Sequence, residues 1–133
     1  MQIERMDHFT IVTDRLTETL AFYAMFGLQA GARPAFGVPG AWLYASDKPI
    51  LHIIEVSSMP NPRRGVLDHM AYRATGLLAT TQLLDEHAIP HRLIRTPAPF
   101  RTWQLFFMDP NGVDVEFDFD PEESAPPDWR TRR

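Results

Sequence analysis

Two short stretches place an Asp-His pair at the mouth of an apolar run. They are Met6-Asp7-His8-Phe9-Thr10-Ile11 and Leu67-Asp68-His69-Met70-Ala71-Tyr72, set sixty-one positions apart. Two further segments carry polar groups where a strand would bury them. Val113-Asp114-Val115-Glu116-Phe117-Asp118-Phe119 alternates strictly, with apolar residues on one face and carboxylates on the other. Asp114 and Asp118 near its ends fit a wetted sheet face, whereas Glu116 lies mid-strand. Ile50-Leu51-His52-Ile53-Ile54-Glu55-Val56 holds one histidine and one glutamate three positions apart. These two point to opposite faces, so at most one joins a shared site. The bland reading of a lone strand histidine is a satisfied core residue. Taken together, three histidines and one or two glutamates form a nitrogen- and oxygen-rich set that suits Zn, Ni, Fe, Mn or Co. Such a set leaves open positions for substrate oxygens.

The elements that must carry these residues repeat. At the sixty-one-residue offset Asp7-His8 meets Asp68-His69, Leu16 meets Leu77, Trp42 meets Trp103, Pro49 meets Pro110 and Glu55 meets Glu116. A repeat of this length indicates two copies of one supersecondary unit. Each half opens with a strand, 8–12 and then 69–73. A helix follows. In the first half Asp14 is placed to cap it, Leu16, Leu20 and Tyr23 share its buried face, and Gly27 ends it. In the second, Leu77, Thr81 and Leu84 take those places and Pro90 closes the segment. Extended pieces then run over 29–34, 40–45 and 50–56, and over 91–95, 102–108 and 113–119. Asp109-Pro110-Asn111-Gly112 is a turn signal between the last two. The order is β-α-β-β-β, twice. The expected organisation is one domain over 1–133, with module 1 at about 3–58, a linker at about 59–65, module 2 at about 66–119 and a tail at 120–133.

Bulk composition excludes several classes. The chain is 44% hydrophobic and 23% charged with net charge −4, so it can bury a core and has no electrostatic footprint for nucleic acid. The one basic cluster, residues 129–133, reads as a solvated tail. With no cysteine, disulfides, thiolate nucleophiles and thiolate ligands are absent. Met1-Gln2-Ile3-Glu4-Arg5 lacks an apolar signal region, and no apolar run reaches transmembrane length. The expectation is a cytoplasmic protein that engages neither membrane nor nucleic acid.

The motifs together resemble the vicinal oxygen chelate superfamily, which includes glyoxalase I, bleomycin-resistance proteins and type I extradiol dioxygenases. They are Met6-Asp7-His8-Phe9-Thr10, Leu20-Ala21-Phe22-Tyr23 with Phe26-Gly27-Leu28, Pro39-Gly40-Ala41-Trp42-Leu43-Tyr44, Leu67-Asp68-His69, and Phe107-Met108-Asp109-Pro110-Asn111-Gly112-Val113-Asp114-Val115-Glu116. The resemblance covers about Ile3 to Phe119. It implies an α+β fold of two tandem βαβββ modules, with a curved mixed sheet around a cleft. It implies that His8, His69 and Glu116 are ligands of one divalent ion (Zn, Ni, Mn, Co or Fe), and that Glu116 moves a proton during catalysis. The fourth ligand position falls on His52 by the apolar pattern and on Glu55 by the repeat offset. His52 is preferred, because the first-half hairpin lacks the Asn-Gly turn and its length can differ.

The resemblance also implies a homodimer that completes its site across the interface. Thr10 matches a threonine of fosfomycin-resistance transferases, although an ordinary β-branched strand residue is the plainer reading. Phe36, Trp42, Phe100, Trp103 and Gln104 are further candidates to line a substrate pocket, with core packing the plainer reading of Trp42. The implied function is a glyoxalase-like lyase or isomerase acting on a small oxygen-rich molecule. The alternatives are an Fe(II) ring-cleaving dioxygenase and a non-catalytic small-molecule-binding protein of the resistance type.

Overall fold

The computed structural model describes residues 1–130; the end of the basic run, 131–133, lies outside the described residues. The chain forms two compact units, Met1–Arg63 and Arg64–Arg133. The first contains β1 (Phe9–Thr13), α1 (Leu16–Ala24), β2 (Gln29–Ala30), β3 (Gly40–Ala45) and β4 (Lys48–Glu55). The second contains β5 (Met70–Arg73), α2 (Leu77–Glu86), β6 (His91–Arg95), β7 (Trp103–Met108) and β8 (Asp114–Phe119). Each unit is a four-stranded mixed sheet, ordered β1-β4-β3-β2 and β5-β8-β7-β6. In each, the first strand lies parallel to the last and the other pairs are antiparallel. This is the α+β, twice-repeated architecture that the resemblance implies. No helix among the described residues is long and apolar enough to cross a membrane.

Strand alternation divides each sheet into a core face and an open face. In the first unit Leu43, Leu51 and Ile53 are buried, together with Phe22 and Tyr23. In the second, Leu105, Phe107, Val115, Phe117 and Phe119 are buried, together with Leu77 and Leu84. The face of α2 is the one its spacing predicts: Leu77, Thr81 and Leu84.

The face of α1 differs from expectation. Its buried residues are Thr19, Phe22 and Tyr23, while Leu16 and Leu20 are half-buried. Thr19 tolerates burial because its hydroxyl donates to the Arg15 carbonyl at 2.9 Å and lies 3.2 Å from the Thr13 hydroxyl. Asp14 does not cap α1, which has no side-chain cap. The Thr13 hydroxyl instead accepts the Arg15 N–H at 3.0 Å. Gly27 ends the helix turn at φ +87, and the Leu28 N–H reaches back to the Tyr23 carbonyl at 3.1 Å. The piece expected over 29–34 is a strand only at Gln29–Ala30.

The repeat is real, but its offset changes along the chain. Phe9 pairs with Leu51, and its counterpart Met70 pairs with Val115. The offset is therefore sixty-one at the first strand and sixty-four at the last. Ala30 lies opposite Leu43, and its counterpart His91 lies opposite Phe107. The slip of three thus enters between β2 and β3, compared with β6 and β7. Inside the hairpins the match is constant: Ala41 with Ile53 and Leu43 with Leu51 correspond to Leu105 with Phe117 and Phe107 with Val115. Differing hairpin length is therefore not the reason that His52, rather than Glu55, corresponds to Glu116. Trp42 corresponds to Phe106 and not to Trp103.

Glu123 and Trp129, beyond Asp120, dock on the second unit. The Glu123 carboxylate accepts the backbone N–H groups of Gly76 at 3.0 Å and Leu77 at 2.7 Å, capping α2 from 46 positions away. The Trp103 indole N–H donates to the Glu123 carbonyl at 3.1 Å, and Trp129 packs edge-on against Trp103 at 4.8 Å. Glu123→Ala is expected to lower the unfolding free energy by about 1 kcal/mol, the usual loss for a helix cap. Urea denaturation checks this, and an unchanged midpoint would assign the cap no energetic role.

Candidate metal and substrate site

In the second unit, pairing of β5, β8, β7 and β6 sets Ala71, Glu116, Phe106 and Arg92 in one row across the sheet. This row lies on the open face, away from Val115 and Phe117. The Asp109–Gly112 turn fixes its register. Buried Asp109 accepts the N–H groups of Asn111 at 2.7 Å and Val113 at 3.0 Å, and Gly112 sits at φ +80. Glu116 is only 4% exposed. Its Oε2 lies 2.9 Å from His69 Nε2, and the Gln104 amide donates to its other oxygen. Gln104 also donates to Asp118 at 3.2 Å. Asp68 Oδ2 holds His69 Nδ1 at 2.7 Å, which directs Nε2 toward Glu116.

The electrostatics follow from these contacts. Burial raises the Glu116 carboxyl above its ordinary value, helped by Asp118 and opposed by His69 and Gln104. The Asp68 hydrogen bond raises His69, burial opposes it, and Glu116 adds to the rise. A cavity of about 840 Å³ opens here, with His69, Glu116, Gln104, Phe106, Arg92 and Arg64 in its wall. His91 also lines it, with a side chain only 10% exposed.

The first unit repeats the histidine device with a different partner. Asp7 Oδ2 holds His8 Nδ1 at 2.7 Å. The His8 ring stacks on His52 at 3.7 Å, and His52 stacks on Trp42 at 4.0 Å. Thr10 and Trp42 flank His52 on the neighbouring strands, and Phe36 leans on Trp42 at 6.0 Å. His52 Nε2 is 3.1 Å from the Pro49 carbonyl. Burial lowers His52, as does the adjacent His8. Glu55 is exposed at the end of β4 and is no part of this stack.

These residues fit a divalent ion chemically. They offer imidazole nitrogen and carboxylate oxygen, with His8 and His69 each oriented through Nδ1 by an aspartate. Within either unit, no group of three or more His, Asp or Glu among the described residues is gathered to hold an ion. The planes of His8 and His52 are 15° apart, so one ion lies in both planes only after a ring turns. Of the pocket candidates, Gln104 lines the cavity. Trp103, 4% exposed, faces the core on the opposite side of β7, and Phe100 is exposed in the connection before that strand. Sequence reasoning missed Phe106 and Arg92; the alternation of β7 around Gln104 was the available signal for Phe106.

The family model of the Glyoxalase/Bleomycin resistance protein/Dioxygenase superfamily matches residues 5–117. No curated relative matches the chain by sequence. Among solved structures, the chain is similar to a glyoxalase/dioxygenase from Nostoc punctiforme, with 21% identity over 89% of this chain and 92% of that one, at a TM-score of 0.68. It is similar to a lactoylglutathione lyase from Agrobacterium tumefaciens, with 18% identity over 90% and 96% of the chains and a TM-score of 0.65. It is also similar to TnmS3, an antibiotic binding protein from a Streptomyces species, with 18% identity over 90% and 98% and a TM-score of 0.65. At these identities the structural likeness speaks to the fold alone.

In metal-free protein, NMR titration is expected to place the His69 midpoint above the ordinary imidazole value and the His52 midpoint below it. Asp68→Asn should bring His69 down. The opposite order of the two histidines would contradict the hydrogen-bond assignment.

Proposed function

Because the chain belongs to the Glyoxalase/Bleomycin resistance protein/Dioxygenase superfamily, we propose that it is a divalent-metal-dependent, glyoxalase-like lyase or isomerase. Its substrate is a small molecule presenting two adjacent oxygens. The observation that carries this reading is the duplicated histidine, each held by the preceding aspartate at 2.7 Å, with Glu116 beside the second at 2.9 Å. His8, His69 and Glu116 are the proposed ligands, and His52 joins them once its ring turns from the stack. A bound ion supplies a Lewis acid for charge that develops on substrate oxygen.

The protein's own groups do the rest. Asp7 and Asp68 hold their imidazoles in one orientation. Burial moves Glu116 toward values at which it can take and return a proton beside a carbonyl. Gln104 pins one Glu116 oxygen, leaving the other toward His69. Phe106 provides an apolar wall to the cavity. The reading includes a homodimer, as the resemblance implies, and a cytoplasmic protein.

The stack of Trp42, His52 and His8 favours a second reading, a binding protein that grips a planar ligand without turnover. Metal analysis by mass spectrometry separates the two. Untagged protein is expected to carry near-stoichiometric divalent metal, and His8→Ala, His69→Ala and Glu116→Ala are each expected to lose most of it. Protein that holds none and takes up none on reconstitution would sink the enzyme reading. Iron in the site would move the assignment to ring-cleaving oxygen chemistry.

A further inference from the structure

The charges around the second unit's cavity pair off, with one exception. Asp68 is bonded to His69 at 2.7 Å and Asp114 to Arg64 at 2.8 Å. Glu116 is held by His69 and Gln104, and His91 faces Asp85 at 3.8 Å. The exposed guanidinium of Arg92 lies over the Phe106 ring, 5.0 Å from its centre, and forms no ion pair among the described residues. An exposed arginine alone says little. Arg92, however, is the cross-strand partner of Phe106, and Phe106 is the cross-strand partner of Glu116. The free cation is thus fixed on the same face as the His69–Glu116 pair. It stands two strand spacings from Glu116, about 10 Å between backbones. A guanidinium over an aromatic face still has N–H groups to offer an oxyanion.

The first unit has no arginine at the equivalent strand position; its stacked cation is Arg33, over the Phe36 ring at 5.1 Å. Gly31 there donates to the Trp42 carbonyl at 3.1 Å, and a Cβ on Gly31 would lie 2.8 Å from the Tyr44 ring. On the row that carries the buried carboxylate, the cation is therefore Arg92.

We infer that Arg92 is a specificity-determining residue that receives an oxyanion, a carboxylate or phosphoryl group, at the far end of the substrate. This rests on the proposed function, since the near end carries the adjacent oxygens that the metal would hold. The substrate class is a small organic anion with its charge about one ring length from its chelating oxygens. The row supplies each part in turn: the His69–Glu116 pair, the apolar face of Phe106, then a planar cation suited to a planar or tetrahedral oxyanion.

Isothermal titration tests this with three probes that share a catechol head. They are 3,4-dihydroxybenzoate, 3,4-dihydroxyphenylphosphonate and the uncharged 3,4-dihydroxybenzamide. Each is added to the zinc-loaded protein and to the same protein after chelation. At least one charged probe is expected to bind about five- to tenfold more tightly than the amide, as for a single partly exposed charge-assisted contact. The tighter of the two identifies the oxyanion. Arg92→Gln should erase this preference and leave the amide's affinity unchanged, while Arg92→Lys should retain part of it. Equal affinity for all three probes, binding of none, or a preference that survives Arg92→Gln would overturn the inference. Failure of the metal reading shows separately, as binding indifferent to chelation while the Arg92-dependent preference persists.

Discussion

Glu116 is a carboxylate almost wholly withdrawn from water in the middle of a sheet. Burying such a group without partners is prohibitive, on the order of several kcal/mol even after relaxation. The second unit is arranged around that constraint. Gln104 donates from one neighbouring strand, His69 approaches from the entry to the other, and Asp68 stands behind His69. Each contact depends on the last. If Asp68 lets the imidazole turn, Glu116 loses a donor. If β7 slips by one residue, Gln104 exchanges places with an apolar side chain. The polar cluster and the strand register therefore specify one another.

The first strand of each unit runs parallel to the last, which brings residues forty-two positions apart in the first unit and forty-five in the second into direct pairing. This long-range closure places a histidine that precedes the first strand beside a residue in the centre of the last. The first unit has filled that central position with His52 and an aromatic stack, the second with Glu116 and hydrogen bonds. One scaffold thus carries two solutions to a buried polar centre: a flat π surface in one case, and a satisfied carboxylate in the other.

Much of this was legible in the sequence. The boundaries of β3 and β6, the Asp-His entries and the buried face of α2 follow from alternation and helical spacing. The face of α1 was hidden because a threonine takes a core position, which its hydroxyl bonds permit only in three dimensions. The direction of Trp103 was within reach. It adjoins Gln104 on a strand, so the two cannot share a face, and the run Trp103-Leu105-Phe107 marks the apolar side. A single repeat offset concealed the kinship of His52 with Glu116. The tail is acidic and then Pro-rich, and nothing local reveals that Glu123 would cap a helix so distant in sequence.

The slip of three residues has a further consequence. It lies wholly in the stretch joining the second and third strands of a unit, and the hairpins downstream remain in step. The connection is therefore a tolerant splice point, where length varies without re-indexing the chemistry on the next strand. In the second unit that stretch, residues 96–102, leaves from the strand that bears Arg92 and returns on the strand that bears Phe106. Descendants of such a duplication can lengthen or shorten this connection, while the carboxylate and imidazole on the neighbouring strands keep their places.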